Sequence, residues 1–284
     1  MYQKFEKKLK KIQLEINEIK AQKIFQILDS FKNISIFPKK SGYLIELFIE
    51  DSEFDKKLKD QINKYFKSFV VFNIKKKDWI HQNKIDDKGI ESNLFFISQG
   101  LKNKKGNKKF NLIIPANSAF GTGNHESTFL AIKAIEYITK SKKFKSPLDL
   151  GSGSGILSFT LKKILMTRII STDIDEEVKK CFFDNLKSNN LNNIHFINAD
   201  GFRNKELFKK KFDLIVSNML CNFQKKLIKD YYLRLKKNGQ LLISGILNIQ
   251  ENEILMICSK FNLILKKKFI IQNWVSLVFI KKGN

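Results

Sequence analysis

The chain has 284 residues, enough for one large or two ordinary domains, each able to bury a core of its own. Lys and Arg number 53 against 28 Asp and Glu, a formal charge of +25. The first 20 residues are charged throughout and no apolar run approaches 18, so neither a signal peptide nor a membrane span is expected. Cys181, Cys221 and Cys258 stand apart with no C-x-x-C pair and no histidine cluster beside them, which supports neither a zinc site nor a disulfide framework. Each reads as a small buried hydrophobe in a reducing, cytoplasmic setting.

The charge has two readings. A basic surface suits nucleic acid. Against that, Arg168, Arg203 and Arg234 are the only arginines, and Lys, Ile, Asn and 26 Phe crowd the whole chain as a global compositional bias would produce. Along the sequence the lysines look spread rather than confined to one stripe, so nucleic-acid contact is compatible with the charge but not required by it.

Residues 1–75 read as a small α+β unit. Lys11 to Ile16, Asn33 to Phe37, Tyr43 to Ile49 and Phe69 to Ile74 have strand patterns; Lys20 to Phe31 and Phe54 to Phe66 have helical spacing. The order βαββαβ predicts a ferredoxin-like layer. It carries no evident chemistry, and recognition and purely structural roles both remain open for it. Residues 76–92 are polar and charged and read as a linker containing Trp79 and His81. Residues 93–284 form the second domain. Its first two strand-like runs, Leu94 to Ser98 and Phe110 to Ile114, flank a Lys/Gly-rich turn and predict an edge hairpin.

The segment Phe120-Gly-Thr-Gly-Asn-His-Glu-Ser-Thr128 then leads into a helix, placing Ser127 and Thr128 in its first turn. Free N–H groups and hydroxyls at such a start suit a carboxylate. Next, Leu148-Asp-Leu-Gly-Ser-Gly-Ser-Gly155 reads as strand, glycine turn and helix. Asp173, 22 positions after Gly151, ends the next short strand, where an acidic side chain accepts hydrogen bonds from ribose hydroxyls. The glycines follow D-x-G-x-G-x-G rather than the G-x-G-x-x-G of dinucleotide enzymes. Further β/α alternation to residue 284 predicts a mostly parallel, doubly wound sheet with Asp149, Asp173, Asp200 and Asn218 at or beside carboxyl ends of strands.

With these residues in hand, the chain resembles the ribosomal protein L11 methyltransferases (PrmA type). The carrying features are the loop Phe120 to Thr128, Leu148 to Gly155, Ser171-Thr-Asp-Ile-Asp175, Asn218-Met-Leu220, and Ser244-Gly-Ile-Leu247 with Gln250. They cover about residues 75 to 275; the N-terminal domain matches in outline. Asn124 and Glu126-Ser127 depart from the commoner family pattern. The resemblance implies a Rossmann-like, seven-stranded methyltransferase domain with a smaller N-terminal ferredoxin-like domain. It also implies methyl transfer from S-adenosyl-L-methionine to lysine ε-amines and the N-terminal α-amine of large-subunit ribosomal protein L11. The cofactor-binding positions it implies are Thr128, Gly151, Gly153, Asp173 and Asn218, with no metal.

No catalytic proton acceptor is evident: His125 serves either in that role or by ordering the loop, and His81 and His195 have no constellation around them. The alternative substrates are RNA or another ribosome-associated protein, although the Asn-Pro-Pro-aromatic motif usual in base-amine methylation is replaced by Asn218-Met-Leu-Cys221.

Overall fold

The structure is a computed structural model that describes residues 8–17, 34–39, 41–66, 69–75, 89–100, 107–115 and 125–283. The helix expected at Lys20 to Phe31, the Trp79 and His81 stretch and loop residues 120–124 lie outside the described residues. The chain divides into two compact units, 1–83 and 84–284.

In the first unit, strands β1 (Lys8–Asn17), β2 (Ile34–Lys39), β3 (Gly42–Glu50) and β4 (Phe69–Lys75) form one antiparallel sheet in the order β2-β3-β1-β4. That is the order and direction a βαββαβ chain takes when its two halves interleave. Strict alternation sends Ile12, Leu14 and Ile16 of β1 and Tyr43, Ile45, Leu47 and Ile49 of β3 into the core. Helix α1 (Lys56–Tyr65) contributes Leu58 and Ile62, with Phe66 at its end. Its start is set by Asp55, whose carboxylate accepts the Leu58 N–H at 2.8 Å. Lys11 and Glu46 point to the other face and pair at 3.1 Å.

The second unit opens with β5 (Ile90–Glu91), β6 (Phe95–Ser98) and β7 (Phe110–Ile113). Here the hairpin expectation fails. β6 and β7 run parallel, and it is β5, inside the stretch read as linker, that pairs antiparallel with β6. The eleven residues between β6 and β7 are far longer than a tight turn and leave room for a crossover. Glu136 ties this edge to the following helix by accepting from Ser92 Oγ at 2.6 Å and Leu94 N at 2.8 Å.

The main sheet has seven strands: β8 (Pro147–Leu150), β9 (Ile169–Asp173), β10 (Ile194–Asn198), β11 (Phe212–Asn218), β12 (Leu235–Leu247), β13 (Leu263–Ile271) and β14 (Trp274–Lys281). Their order is β10-β9-β8-β11-β12-β14-β13, and β14 alone runs against its neighbours. β12 is longer than the expected Gln240 to Ser244: it begins at Leu235, paired with Phe212, and continues through an irregularity between Ile243 and Ile246 to Leu247. Helices α2 (Glu126–Ser141), α3 (Ile156–Leu165), α4 (Glu176–Ser188), the short α5 (Lys205–Phe208), α6 (Cys221–Arg234) and α7 (Glu251–Lys260) accompany the sheet.

The apolar run of β11 shows why this sheet is buried on both faces. Leu214 and Val216 join α2 and α3 in one core, while Ile215 joins Tyr231 of α6 and Ile254 of α7 in the other. Cys221 and Cys258 are buried in that second core; Cys181 is half-buried. Successive strands run outward from β8 to β10 and then resume on β8's other side with β11. A crevice therefore opens at the carboxyl ends of β8 and β11.

Candidate functional site

At the end of β8 the chain turns through Gly151, Gly153 and Gly155, with φ of 75°, 52° and 89°. A Cβ on Gly151 would lie 2.6 Å from Met219 Sδ, so the turn packs directly on the segment that leaves β11. The Gly151 and Ser152 N–H groups donate to the Thr172 carbonyl at 2.9 and 2.8 Å. Gly153 N–H donates to Asp173 Oδ2 at 2.8 Å, and Asp173 Oδ1 accepts the Asp175 N–H at 3.1 Å. Partial burial raises the Asp173 pKa, with these N–H bonds pulling the other way. Asn185 of α4 donates to the Ser154 carbonyl at 2.9 Å and fixes the far side of the turn.

Asp149 lies beneath the turn and is fully buried. Its Oδ2 accepts from Ser158 Oγ at 2.6 Å, and Ser158 also meets Ser171 Oγ at 2.6 Å. Burial pushes this carboxyl up to about 7 against the opposing Ser158 bond. Asp149 thus braces the glycine turn against α3 and β9.

The opposite wall is the start of α2. His125 is the N-cap: its Nδ1 accepts the Ser127 N–H at 3.3 Å and lies 2.8 Å from Ser127 Oγ. Its ring meets Trp274 edge-on at 4.5 Å, and burial lowers its pKa, with Glu126 acting in the other direction. Ser127 and Thr128 are completely buried. Asn218 Nδ2 donates to Thr128 Oγ1 at 3.1 Å, while Asn218 Oδ1 is buried with no hydrogen-bond partner. Ser244 Oγ of β12 donates to the Ser127 carbonyl at 2.8 Å and lies 2.6 Å from Ser276 Oγ of β14.

The five positions expected to contact a cofactor are thus gathered at the switch point: Gly153 binds Asp173, Thr128 binds Asn218, and Gly151 packs on Met219. Asp200 and His195 stand apart from these bonds. Asp200 pairs with Arg203 at 2.9 Å, and His195 Nε2 lies 2.8 Å from Glu206 on an exposed face.

Sequence reasoning missed Gln224. This fully buried side chain of α6 directs Nε2 at the Ser217 carbonyl (3.2 Å), Ser217 Oγ (3.2 Å), the Ser244 carbonyl (3.1 Å) and the Met219 carbonyl (3.5 Å). Its Oε1 accepts from Tyr231 Oη at 2.7 Å. One amide therefore fastens the ends of β11 and β12 and the turn presenting Asn218. The available signal was a Gln at an interior helix position, in the series Cys221, Gln224, Ile228, Tyr231.

This strand order, with a glycine turn after the first strand and a carboxylate ending the second, defines a class I, S-adenosylmethionine-dependent methyltransferase. A family model described as Ribosomal protein L11 methyltransferase (PrmA) matches residues 5–282, and the chain belongs to that family. A ribosomal protein L11 methyltransferase of Prochlorococcus marinus is 33% identical over 235 residues, covering 80% of this chain and 75% of the relative. One from Lactobacillus johnsonii is 34% identical over 166 residues, 58% of this chain and about half (51%) of that relative. The crystal structure of a ribosomal protein L11 methylase from Lactobacillus delbrueckii subsp. bulgaricus matches with a TM-score of 0.62 at 26% identity, covering 68% of this chain and 97% of that one. Among the described residues, no helix is long and apolar enough to cross a membrane and no His, Cys, Asp and Glu cluster could hold a metal.

Proposed function

We propose that the enzyme methylates amine nitrogens of ribosomal protein L11, the lysine ε-amines and the N-terminal α-amine, with S-adenosyl-L-methionine as donor. The observation that carries the reading is the pairing of Thr128 with Asn218 across the crevice from Gly153 and Asp173. These residues fit the donor chemically. Asp173 spends one lone pair per oxygen on backbone N–H groups and keeps others for ribose hydroxyls. The first turn of α2 and Thr128 suit a carboxylate, and the unpaired Asn218 Oδ1 accepts from an ammonium or amine N–H.

A bound S-adenosyl-L-methionine supplies a methyl group on a positively charged sulfur, open to in-line attack. The chain's part is to position and desolvate. Holding the reactants in line removes much of the entropic barrier. An amine must attack in its neutral form, which a dry crevice favours by disfavouring the ammonium. His125 caps α2 through its Nδ1 contacts with Ser127, which supports a role in ordering the helix start. The first unit, which contains none of these residues, recognises the protein substrate on this reading.

The test incubates the full chain with methyl-labelled cofactor and purified large-subunit proteins. Label on L11, mapped by mass spectrometry to lysine and N-terminal amines, is the expected result. Label confined to RNA or to another protein would overturn the assignment.

A further inference from the structure

The fold sorts charge that the sequence leaves scattered. At the carboxyl ends of the strands, segments 149–155, 173–177, 198–203, 218–222 and 248–253 hold eight Asp or Glu and one base, Arg203. At the opposite end, segments 140–146, 209–213, 233–238 and 281–283 hold twelve Lys or Arg and one acid, Asp213. That single carboxylate is already occupied by the N–H groups of Lys145 and Ser146, at 2.8 and 3.0 Å.

These four segments form one contiguous surface, because hydrogen bonds link each to the next. Lys142 reaches the Asn238 carbonyl at 2.8 Å, Lys236 reaches Ser146 Oγ at 2.6 Å, and Lys211 donates to the Leu233 carbonyl. Lys281 donates to the Tyr232 and Leu235 carbonyls at 2.8 and 3.0 Å. The helix dipole accounts for cations in the last turns of α2 and α6. It does not account for Lys236 in β12, Lys281 in β14 or the Lys209 to Lys211 run, which lie outside those turns. The bonds also hold several ammonium groups in place by one or two of their three donors, leaving the remainder for an external acceptor.

We infer that this basic floor, at the end of the sheet away from the methyl-transfer crevice, binds the phosphate backbone of RNA. A dense row of fixed cations, with Asp213 held by backbone N–H groups and Glu206 at its margin paired with His195, matches a polyphosphate strand. An aromatic platform stands beside it: Phe208 is 63% exposed, with the Arg234 guanidinium 5.1 Å from its ring centroid. The surface is built from strand-end loops rather than from an amphipathic helix lying in a plane, which favours RNA over an anionic bilayer. RNA held there leaves the crevice open, so the enzyme can act while bound to an RNA-containing particle.

The test measures binding of the full-length enzyme to a fluorescein-labelled single-stranded RNA by anisotropy, across a series of KCl concentrations. Lys143→Gln, Lys209→Gln and Lys282→Gln together remove three exposed floor charges; Lys179→Gln, Lys180→Gln and Lys226→Gln together remove three elsewhere. The floor variant is expected to weaken binding tenfold or more at low salt and to reduce the slope of log K against log salt by about 2, from roughly 0.7 per phosphate contact. The control is expected to change affinity less than threefold. Equal losses in both variants, no RNA binding by the wild-type protein, or binding only to phosphatidylserine vesicles would overturn the inference. Lysine acetylation of the wild-type enzyme, mapped by mass spectrometry with and without RNA, gives a second readout that does not depend on variants folding: protection must fall on the floor lysines.

Discussion

Gly153 donates its backbone N–H to Asp173 Oδ2 at 2.8 Å, so the carboxylate assigned to the ribose also holds the glycine turn in shape. Asp173→Ala should then cost more than a lost ligand contact. An acceptor of charged type contributes about 1.5 to 3 kcal/mol, so cofactor affinity should fall at least tenfold. Asp173→Asn, which keeps one acceptor oxygen, should lie between. Calorimetric titration of folded variants checks this, and unchanged affinity for the alanine variant contradicts the assignment.

Gly245 stands at φ 78°, where an added Cβ would meet the Met219 carbonyl oxygen at 2.5 Å and Asn218 Oδ1 at 2.9 Å. Gly245→Ala therefore strains the backbone and displaces Asn218 together. We expect a stability loss above about 1 kcal/mol with a clear loss of cofactor affinity. Thermal melting and binding, measured on the same preparation, separate the two; a variant normal in both shows the contact is easily relieved.

Replacing Gln224 by Leu removes the amide that fastens β11 to β12 and leaves the Tyr231 hydroxyl buried without its acceptor. The cost should be about 1 to 3 kcal/mol. Because the Asn218 turn loses its anchor, KM for the methyl donor should rise as well. Steady-state kinetics decide this: a destabilised variant with unaltered KM would limit Gln224 to a packing role.

The buried Asp149 carboxyl, pushed up to about 7, makes stability depend on pH. The folded state holds this proton more tightly than the unfolded state, whose carboxyl titrates near 3.9. The contribution is complete below that unfolded value and is lost as pH rises through about 7, on the order of 4 kcal/mol at about 1.4 kcal/mol per unit. His125 acts oppositely, since its lowered pKa removes stability as pH falls through the ordinary histidine range. Comparing wild type with Asp149→Asn cancels the His125 contribution. Between pH 5 and 8 the melting temperature of the wild type should fall more than that of the variant, and parallel curves would refute the linkage.

Much of the site was legible because its signals are local. The glycine spacing, the Asp173 offset and the apolar strand runs each follow from a short-range backbone requirement, and the five positions named with the help of the family resemblance lie together at one crevice. The β6 and β7 pairing was misread because two short apolar strands carry no information about direction; only the connection length hinted at it. Gln224 and the Ser244 to Ser127 bond were not legible since their partners are carbonyl groups brought together only in three dimensions. The lysines illustrate the same limit at larger scale: they recur along the sequence, but β/α winding returns many of them to one end of the sheet.

The insertion of β14 between β12 and β13 has a consequence for assembly order. Last of the sheet strands to be synthesised, β14 lies second from one edge, between β12 and β13, so β13 has no native strand partner until it arrives. Trp274, which meets the cap of α2, and Ser276, which meets Ser244, arrive with it. During synthesis the earlier strands can collect first, yet one wall of the crevice stays unbraced until residues 274–281 emerge. The crevice is therefore finished only when β14 has docked.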